Sequence, residues 1–77
     1  MKYFVLIYDQ LAGRLLDVEN YGPEGAAAAL ARRFELDRQY AAKPKVEVVL
    51  LSAESEEALR QTHARYFKSV NELAQAG

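Results

Sequence analysis

The chain has 77 residues, the length of one small domain, and 51% of them are hydrophobic while 27% are charged. This ordinary globular composition argues against extended disorder. Ten basic and eleven acidic residues give a net charge of -1, so no overall field attracts nucleic acid or acidic lipid. The lack of cysteine excludes disulfides, thiol nucleophiles and cysteine-ligated zinc, and it favours a reducing compartment.

The location of the protein is predicted from its apolar segments. The run near the N terminus is too short for a signal peptide, and no stretch approaches the about 20 residues of a membrane span. We therefore expect a soluble, cytoplasmic protein that does not enter the membrane. Alanine and arginine outnumber isoleucine and lysine, which is common in bacterial proteins.

The first predicted element is a strand over residues 2–8. Its alternating side chains are apolar on both faces: Tyr3, Val5 and Ile7 on one, Phe4, Leu6 and Tyr8 on the other. This pattern is typical of a central strand that is covered on both sides. Asp9 and Gly13 then predict a hairpin turn, because aspartate bonds nearby backbone and glycine accepts a positive φ. The return strand over residues 14–21 is half polar and reads as an edge strand.

A helix is predicted next, beginning at Pro23 or Glu24 and ending near Ala42. Helical spacing predicts a seam that packs on the sheet, consisting of Ala27, Leu30, Ala31, Phe34 and Ala41, with Arg32, Glu35 and Gln39 pointing away. Leu36 and Tyr40 form a second stripe that one sheet face cannot cover together with the first.

The third strand begins at Val46, directly after the Pro44 breaker, and extends over residues 46–51. A last helix follows, with Ser52 or Ser55 as its cap. Its apolar side could extend over some five turns and carries Leu59, Thr62, His63, Tyr66, Phe67, Val70 and Leu73. Five turns are roughly 27 Å long and a six-residue strand about 20 Å, so the end of this helix should overhang the sheet.

These elements predict a two-layer α+β domain of order ββαβα that spans residues 1–77. Its sheet has three strands and is mainly antiparallel. The strand order 2-1-3 is expected because sequential elements tend to be neighbours, and it puts the first strand in the middle.

Residues that could perform chemistry are few. Asp9 stands at a strand end, where carboxylates of active sites often gather, but a turn aspartate is the simpler interpretation. His63 is the only histidine. Its helical neighbours are not metal ligands, so a packed helix residue is the simpler interpretation there too. We predict no metal and no cofactor.

Three functions remain, in order of preference. The first is a homodimerising protein-binding module without catalytic activity. A domain this small buries only about 60% of its unfolded surface, and the apolar residues that its own sheet does not cover could pack against a partner chain. Its interface candidates are Tyr3, Tyr8, Tyr66, Phe67, Val70 and Leu73. The second is a nucleic-acid-associated protein that uses a basic cluster of Arg32, Arg33, Arg38, Lys43 and Lys45. The third is a small oligomeric enzyme that uses Asp9 and His63.

Overall fold

The computed structural model describes residues 1–67 of the chain. Its elements are β1 (Lys2–Asp9), β2 (Arg14–Gly22), α1 (Ala26–Gln39), β3 (Val46–Ala53), α2 (Glu56–Thr62) and α3 (Ala64–Phe67). The expected overhang of the last helix, with Val70 and Leu73, falls outside the described residues.

The three strands form one antiparallel sheet in the order β2-β1-β3. The α+β class and the strand order are therefore confirmed. The central strand is buried along residues 4–8, as its two apolar faces predicted. β2 and β3 both run antiparallel to β1 and are therefore parallel to each other. Helix α1 connects β2 to β3 and crosses over β1.

The helices lie on opposite faces of the sheet, which differs from the predicted two layers. Phe4, Leu6 and Tyr8 pack with Leu59 and Tyr66 of α2 and α3. The side chains on the other face of β1 pack with α1 instead: Val5 and Ile7 contact the cluster of Ala29, Leu36 and Val48. A central strand with two apolar faces needs cover on both, so three layers result.

The hairpin between β1 and β2 has the predicted turn. The Asp9 carboxylate accepts hydrogen bonds from the backbone N–H groups of Leu11 and Ala12, at 3.0 and 3.1 Å. Gly13 has a φ of 67° and donates its N–H to the Asp9 carbonyl at 2.8 Å. The pairing of β2 with β1 shifts register twice, and each shift marks a bulge or irregularity in this edge strand.

Helix α1 begins later than predicted, at Ala26, because residues 22–25 form a turn. Gly22 adopts a φ of 75°, and Gly25 lies against the backbone of Tyr21. A Cβ at position 25 would be 2.0 Å from the Tyr21 carbonyl oxygen, so only glycine fits there without movement.

The last helix is capped by Ser55, whose hydroxyl accepts a hydrogen bond from Ala58 N–H at 3.1 Å. One continuous helix was the wrong prediction for residues 56–67, because the backbone leaves helical geometry at His63, with φ -122° and ψ 45°. Thr62 also bonds the Ala58 carbonyl at 3.0 Å, a contact that competes with regular helix bonding. The break lets α3 turn Tyr66 onto the sheet.

Candidate functional site

Helix α1 turns a different side to the sheet than the sequence predicted. Ala29 and Leu36 are its buried residues, and Tyr40 at its end packs with them. The predicted seam is wrong: Leu30 is 41% exposed and Phe34 is 53% exposed. The Leu36 and Tyr40 stripe forms the contact instead, and large apolar side chains remain on the surface.

Arg32 explains part of this orientation. The sequence places it on the solvent side, yet its guanidinium reaches the edge strand β2, where Nε lies 3.0 Å from Glu19 Oε1. Tyr21 donates its hydroxyl to the same Glu19 oxygen at 2.7 Å, and Arg32 also pairs with Glu35 on its own helix. This cluster ties α1 to β2.

The protonation states of the cluster follow from these bonds. The hydrogen bond from Arg32 lowers the pKa of Glu19, and this effect exceeds the opposing effect of burial. The pKa of Arg32 is raised by the same bond. Burial raises the pKa of the Tyr21 phenol, and its bond to the carboxylate raises it further. The group is therefore a stable ion pair with a neutral tyrosine, an arrangement that fixes position and holds no proton ready for transfer.

The position of Arg32 shows which way the exposed apolar residues face. A helix turns about 100° per residue, so Arg32 lies about 60° to one side of Ala29, while Leu30 and Phe34 lie about 100° and 140° to the other. Arg32 points to β2. Leu30 and Phe34 therefore lie on the opposite side of the helix axis from Arg32, the side nearer β3, with Phe34 turned mostly away from the sheet, and we call this side the α1 flank.

Strand β3 forms the sheet margin beneath the α1 flank. Among residues 1–67 its only strand neighbour is β1, with which it pairs in unbroken register from Val46 to Ala53. It contains no proline, and its one charged residue is Glu47. We call its outer side the β3 edge.

A polar cluster around Glu47 joins α3 to the sheet. Its carboxylate accepts hydrogen bonds from Tyr66 Oη at 2.9 Å, Gln10 Nε2 at 2.9 Å and Arg65 at 3.0 Å. The Tyr66 ring meets Tyr8 edge-on at 5.2 Å between centroids, and the Arg65 guanidinium lies 4.5 Å from the Tyr66 ring. Glu47 thus holds α3 in place.

The contacts within the Glu47 cluster also shift the pKa values of Glu47 and Tyr66. The hydrogen bond from Gln10 lowers the pKa of Glu47, burial opposes it, and the Tyr66 bond lowers it further. Burial raises the pKa of the Tyr66 phenol, and the carboxylate raises it again. All three donors bind one carboxylate, and this arrangement favours a structural role, in which Glu47 holds α3 on the sheet, over acid-base catalysis.

The catalytic candidates do not come together. Asp9 uses its carboxylate within the hairpin turn. His63 is the half-buried residue at which α2 ends, and its ring lies 6.5 Å from that of Tyr66. No contact found in residues 1–67 joins Asp9 to His63.

The interface candidates lie mostly in the core. Tyr8 and Tyr66 are buried, and Tyr3 packs half-buried beside the α1 contact. Phe67 is half-buried with the Arg60 guanidinium 4.7 Å from its ring. Each of these side chains is fractionally less exposed than Leu30 or Phe34 on the α1 flank.

The basic cluster is divided. Arg32 is bound to Glu19, and Arg33 lies 3.9 Å from Asp37 on the next turn. The members that stay exposed without an ion pair in residues 1–67 are Arg38, Lys43 and Lys45. Their charge is less concentrated than the sequence implied.

The described part of the chain has no group of three or more acidic, histidine or cysteine side chains that could hold a metal. No helix within residues 1–67 is long and apolar enough to cross a membrane. No family model, curated protein or solved structure matches the chain.

The α1 flank was missed because Leu30 and Phe34 were assigned to the sheet. The sequence did indicate that one apolar stripe of α1 would stay exposed, because a single sheet face cannot cover both Leu30 with Phe34 and Leu36 with Tyr40. In the structure the stripe of Leu36 and Tyr40 packs on the sheet, and the accompanying contact of Arg32 with Glu19 joins two different elements, so neither contact can be read from the helix alone.

Proposed function

We propose that this protein is a homodimerising interaction module without catalytic activity, and that the α1 flank is part of its contact surface. The observation that carries the proposal is the exposure of Leu30 and Phe34 on one side of a helix whose other large apolar residue, Leu36, is buried. Neighbouring apolar side chains on a surface mark an interaction site more often than single ones do.

Size supports the same proposal. A domain of 77 residues buries a modest share of its surface and gains stability when a partner covers more. Most soluble oligomers are symmetric dimers of identical chains, in which each copy supplies the same surface. A cytoplasmic location stays a prediction from the cysteine-free composition.

The test is the mass of the protein in solution, measured by sedimentation equilibrium over a range of concentrations. We expect a monomer-dimer equilibrium for the natural chain and a shift toward monomer for Phe34→Glu. The matched control is Leu11→Glu, because Leu11 is 82% exposed at the hairpin tip, away from α1. Circular dichroism would confirm that both variants fold.

Two results would count against the proposal. A natural chain that stays monomeric at every concentration would remove the dimer. A Phe34→Glu variant that dimerises as well as Leu11→Glu would move the contact away from the α1 flank. Titration with labelled duplex DNA in the same series would test the nucleic-acid alternative, which predicts binding that weakens as salt is raised.

A further inference from the structure

We infer that two copies of this chain join through antiparallel pairing of their β3 edges, giving one continuous six-stranded sheet with the two α1 flanks packed side by side. This inference rests on the proposed homodimer and specifies its geometry. It adds a main-chain contact to the side-chain contact already proposed.

The α1 flank alone is too small to hold a dimer. Complete burial of a leucine or phenylalanine side chain contributes about 1.5–3 kcal/mol, and Leu30 and Phe34 are already half covered. Association costs an estimated 4–15 kcal/mol in lost freedom. Additional contact is therefore needed, and within residues 1–67 the β3 edge is a neighbouring surface that can supply it.

The β3 edge has backbone groups that remain unpaired within residues 1–67. Gln10 N–H bonds the Lys45 carbonyl at 2.8 Å, which extends the β1–β3 ladder by one residue. Antiparallel ladders bond inward at every second residue. The alternation then turns the N–H and C=O groups of Val48, Leu50 and Ser52 outward, away from β1.

The two margins of the sheet differ in how they resist pairing. Strand β2 has two register shifts and carries Asp17 and Glu19, features that keep an edge from adding further strands. Strand β3 has unbroken register, no proline and only Glu47 as a charge. That carboxylate is already bound to three donors on its own chain. The β3 edge is thus the one suited to strand addition.

The spacing of the helices fits this dimer. Because α1 packs mainly over β1 and β3, we place its axis midway between these two strands, which is about half a strand spacing, or about 2.4 Å, inside β3. Two β3 strands paired across a two-fold axis are about 4.8 Å apart, so the two helices would be about 10 Å apart. Packed helices are separated by about 8–10 Å, the distance at which the two flanks meet.

Charge on the flank favours a second copy as the occupant. Arg33 and Asp37 project on the same side of α1 as Leu30, between that residue and the sheet. A two-fold axis perpendicular to the sheet makes the adjacent helices antiparallel. If this axis passes level with Glu35, the Arg33–Asp37 pair of each chain, 3.9 Å apart, lies beside the same pair of the other in opposite order, so Arg33 of one copy faces Asp37 of the other and the surface is complementary to itself.

Amide hydrogen exchange followed by NMR tests the inference, with the natural dimer and the Phe34→Glu monomer compared. Val49 and Leu51 amides, which bond to β1, should be protected in both. The amides of Val48, Leu50 and Ser52 should exchange about 100-fold more slowly in the dimer, because their N–H groups would be hydrogen-bonded to the partner strand. Slow exchange of these three amides in the dimer alone supports strand pairing.

The outcomes separate this inference from the proposed function. A dimer in which Val48, Leu50 and Ser52 exchange as fast as in the monomer overturns the continuous sheet and leaves the homodimer standing. A natural chain without any dimer overturns both. As a second measurement, Leu50→Pro removes one outward N–H and should weaken dimerisation at least tenfold relative to Leu50→Ala, which shortens the side chain but keeps the N–H. Equal dimerisation of the two variants overturns the strand pairing.

Discussion

Replacing Glu47 with glutamine should loosen the attachment of α3 to the sheet. The carboxylate accepts bonds from Gln10, Arg65 and Tyr66, and a glutamine side chain has one acceptor oxygen and no charge. The variant keeps the size and shape of the residue. Any loss therefore reports the charged hydrogen bonds and not the packing.

The magnitude follows from the burial of the cluster. Hydrogen bonds to charged groups contribute about 1.5–3 kcal/mol each when water is excluded. The Glu47 side chain is 26% exposed, and glutamine still accepts one bond, so we expect a net loss of about 1 kcal/mol in the free energy of unfolding. In a domain of this size that loss lowers Tm by about 4–8 °C.

The loss should depend on pH. Since the pKa of Glu47 is lower in the folded chain than its ordinary value of 4.5, the unfolded chain takes up the proton more readily. The stabilisation by the ionised carboxylate is complete above that ordinary value. It disappears as the pH falls below the ordinary value of 4.5 and through the lowered folded pKa, so the difference between the natural chain and Glu47→Gln should shrink as the solution becomes more acidic.

The assay is urea unfolding followed by circular dichroism at neutral and acidic pH. Glu54→Gln is the control, because Glu54 is exposed and outside every ion pair found in residues 1–67. An equal loss for Glu54→Gln and Glu47→Gln at neutral pH would show that the bonds to Glu47 do not stabilise the fold. An equal Glu47→Gln loss at both pH values would show that the charge of Glu47 is not the cause.

Three further predictions concern the fold. Gly25→Ala should lower Tm by several degrees in a thermal melt, because its Cβ would be 2.0 Å from the Tyr21 carbonyl oxygen; an unchanged Tm would contradict that contact. In dilute solution, where the chain is monomeric, Leu36→Ala should cost about 2–5 kcal/mol and Leu30→Ala under about 0.5 kcal/mol, and the reverse order would restore the sequence-based seam. Asp9→Ala should cost about 1 kcal/mol while Asp9→Asn, which keeps the acceptor oxygen, costs less; equal losses would rule out the turn bonds as the cause.

Local patterns predicted much of this fold. The two apolar faces of β1 placed it in the middle of the sheet, since no other position covers both faces. Gly13 marked the turn correctly, and Ser55 is one of the two serines that the sequence offered as the cap of the last helix, because a positive φ and an N-terminal cap depend on the residue itself and its near neighbours. The Asp9 turn was recognised for the same reason.

The helices show where local pattern was insufficient. The continuous last helix was predicted from apolar spacing. That spacing gives no information about the hydrogen bond from Tyr66 to Glu47, which is 19 residues away in the sequence. The side that α1 turns to the sheet was equally undetermined, because the stripe of Leu36 and Tyr40 and the stripe of Leu30 and Phe34 are both apolar.

Residue pattern alone was enough to predict β1, β2, α1 and β3 in this order and to put β1 in the middle, because period, turn chemistry and the burial of one strand are local properties. The placement of α1 and α2 on opposite faces, and the exposure of Leu30 and Phe34, were visible only in the assembled fold. Helix orientation depends on contacts between distant residues, here Arg32 with Glu19 and Leu36 with the sheet. These contacts between distant residues stabilise the fold only after the strands have assembled.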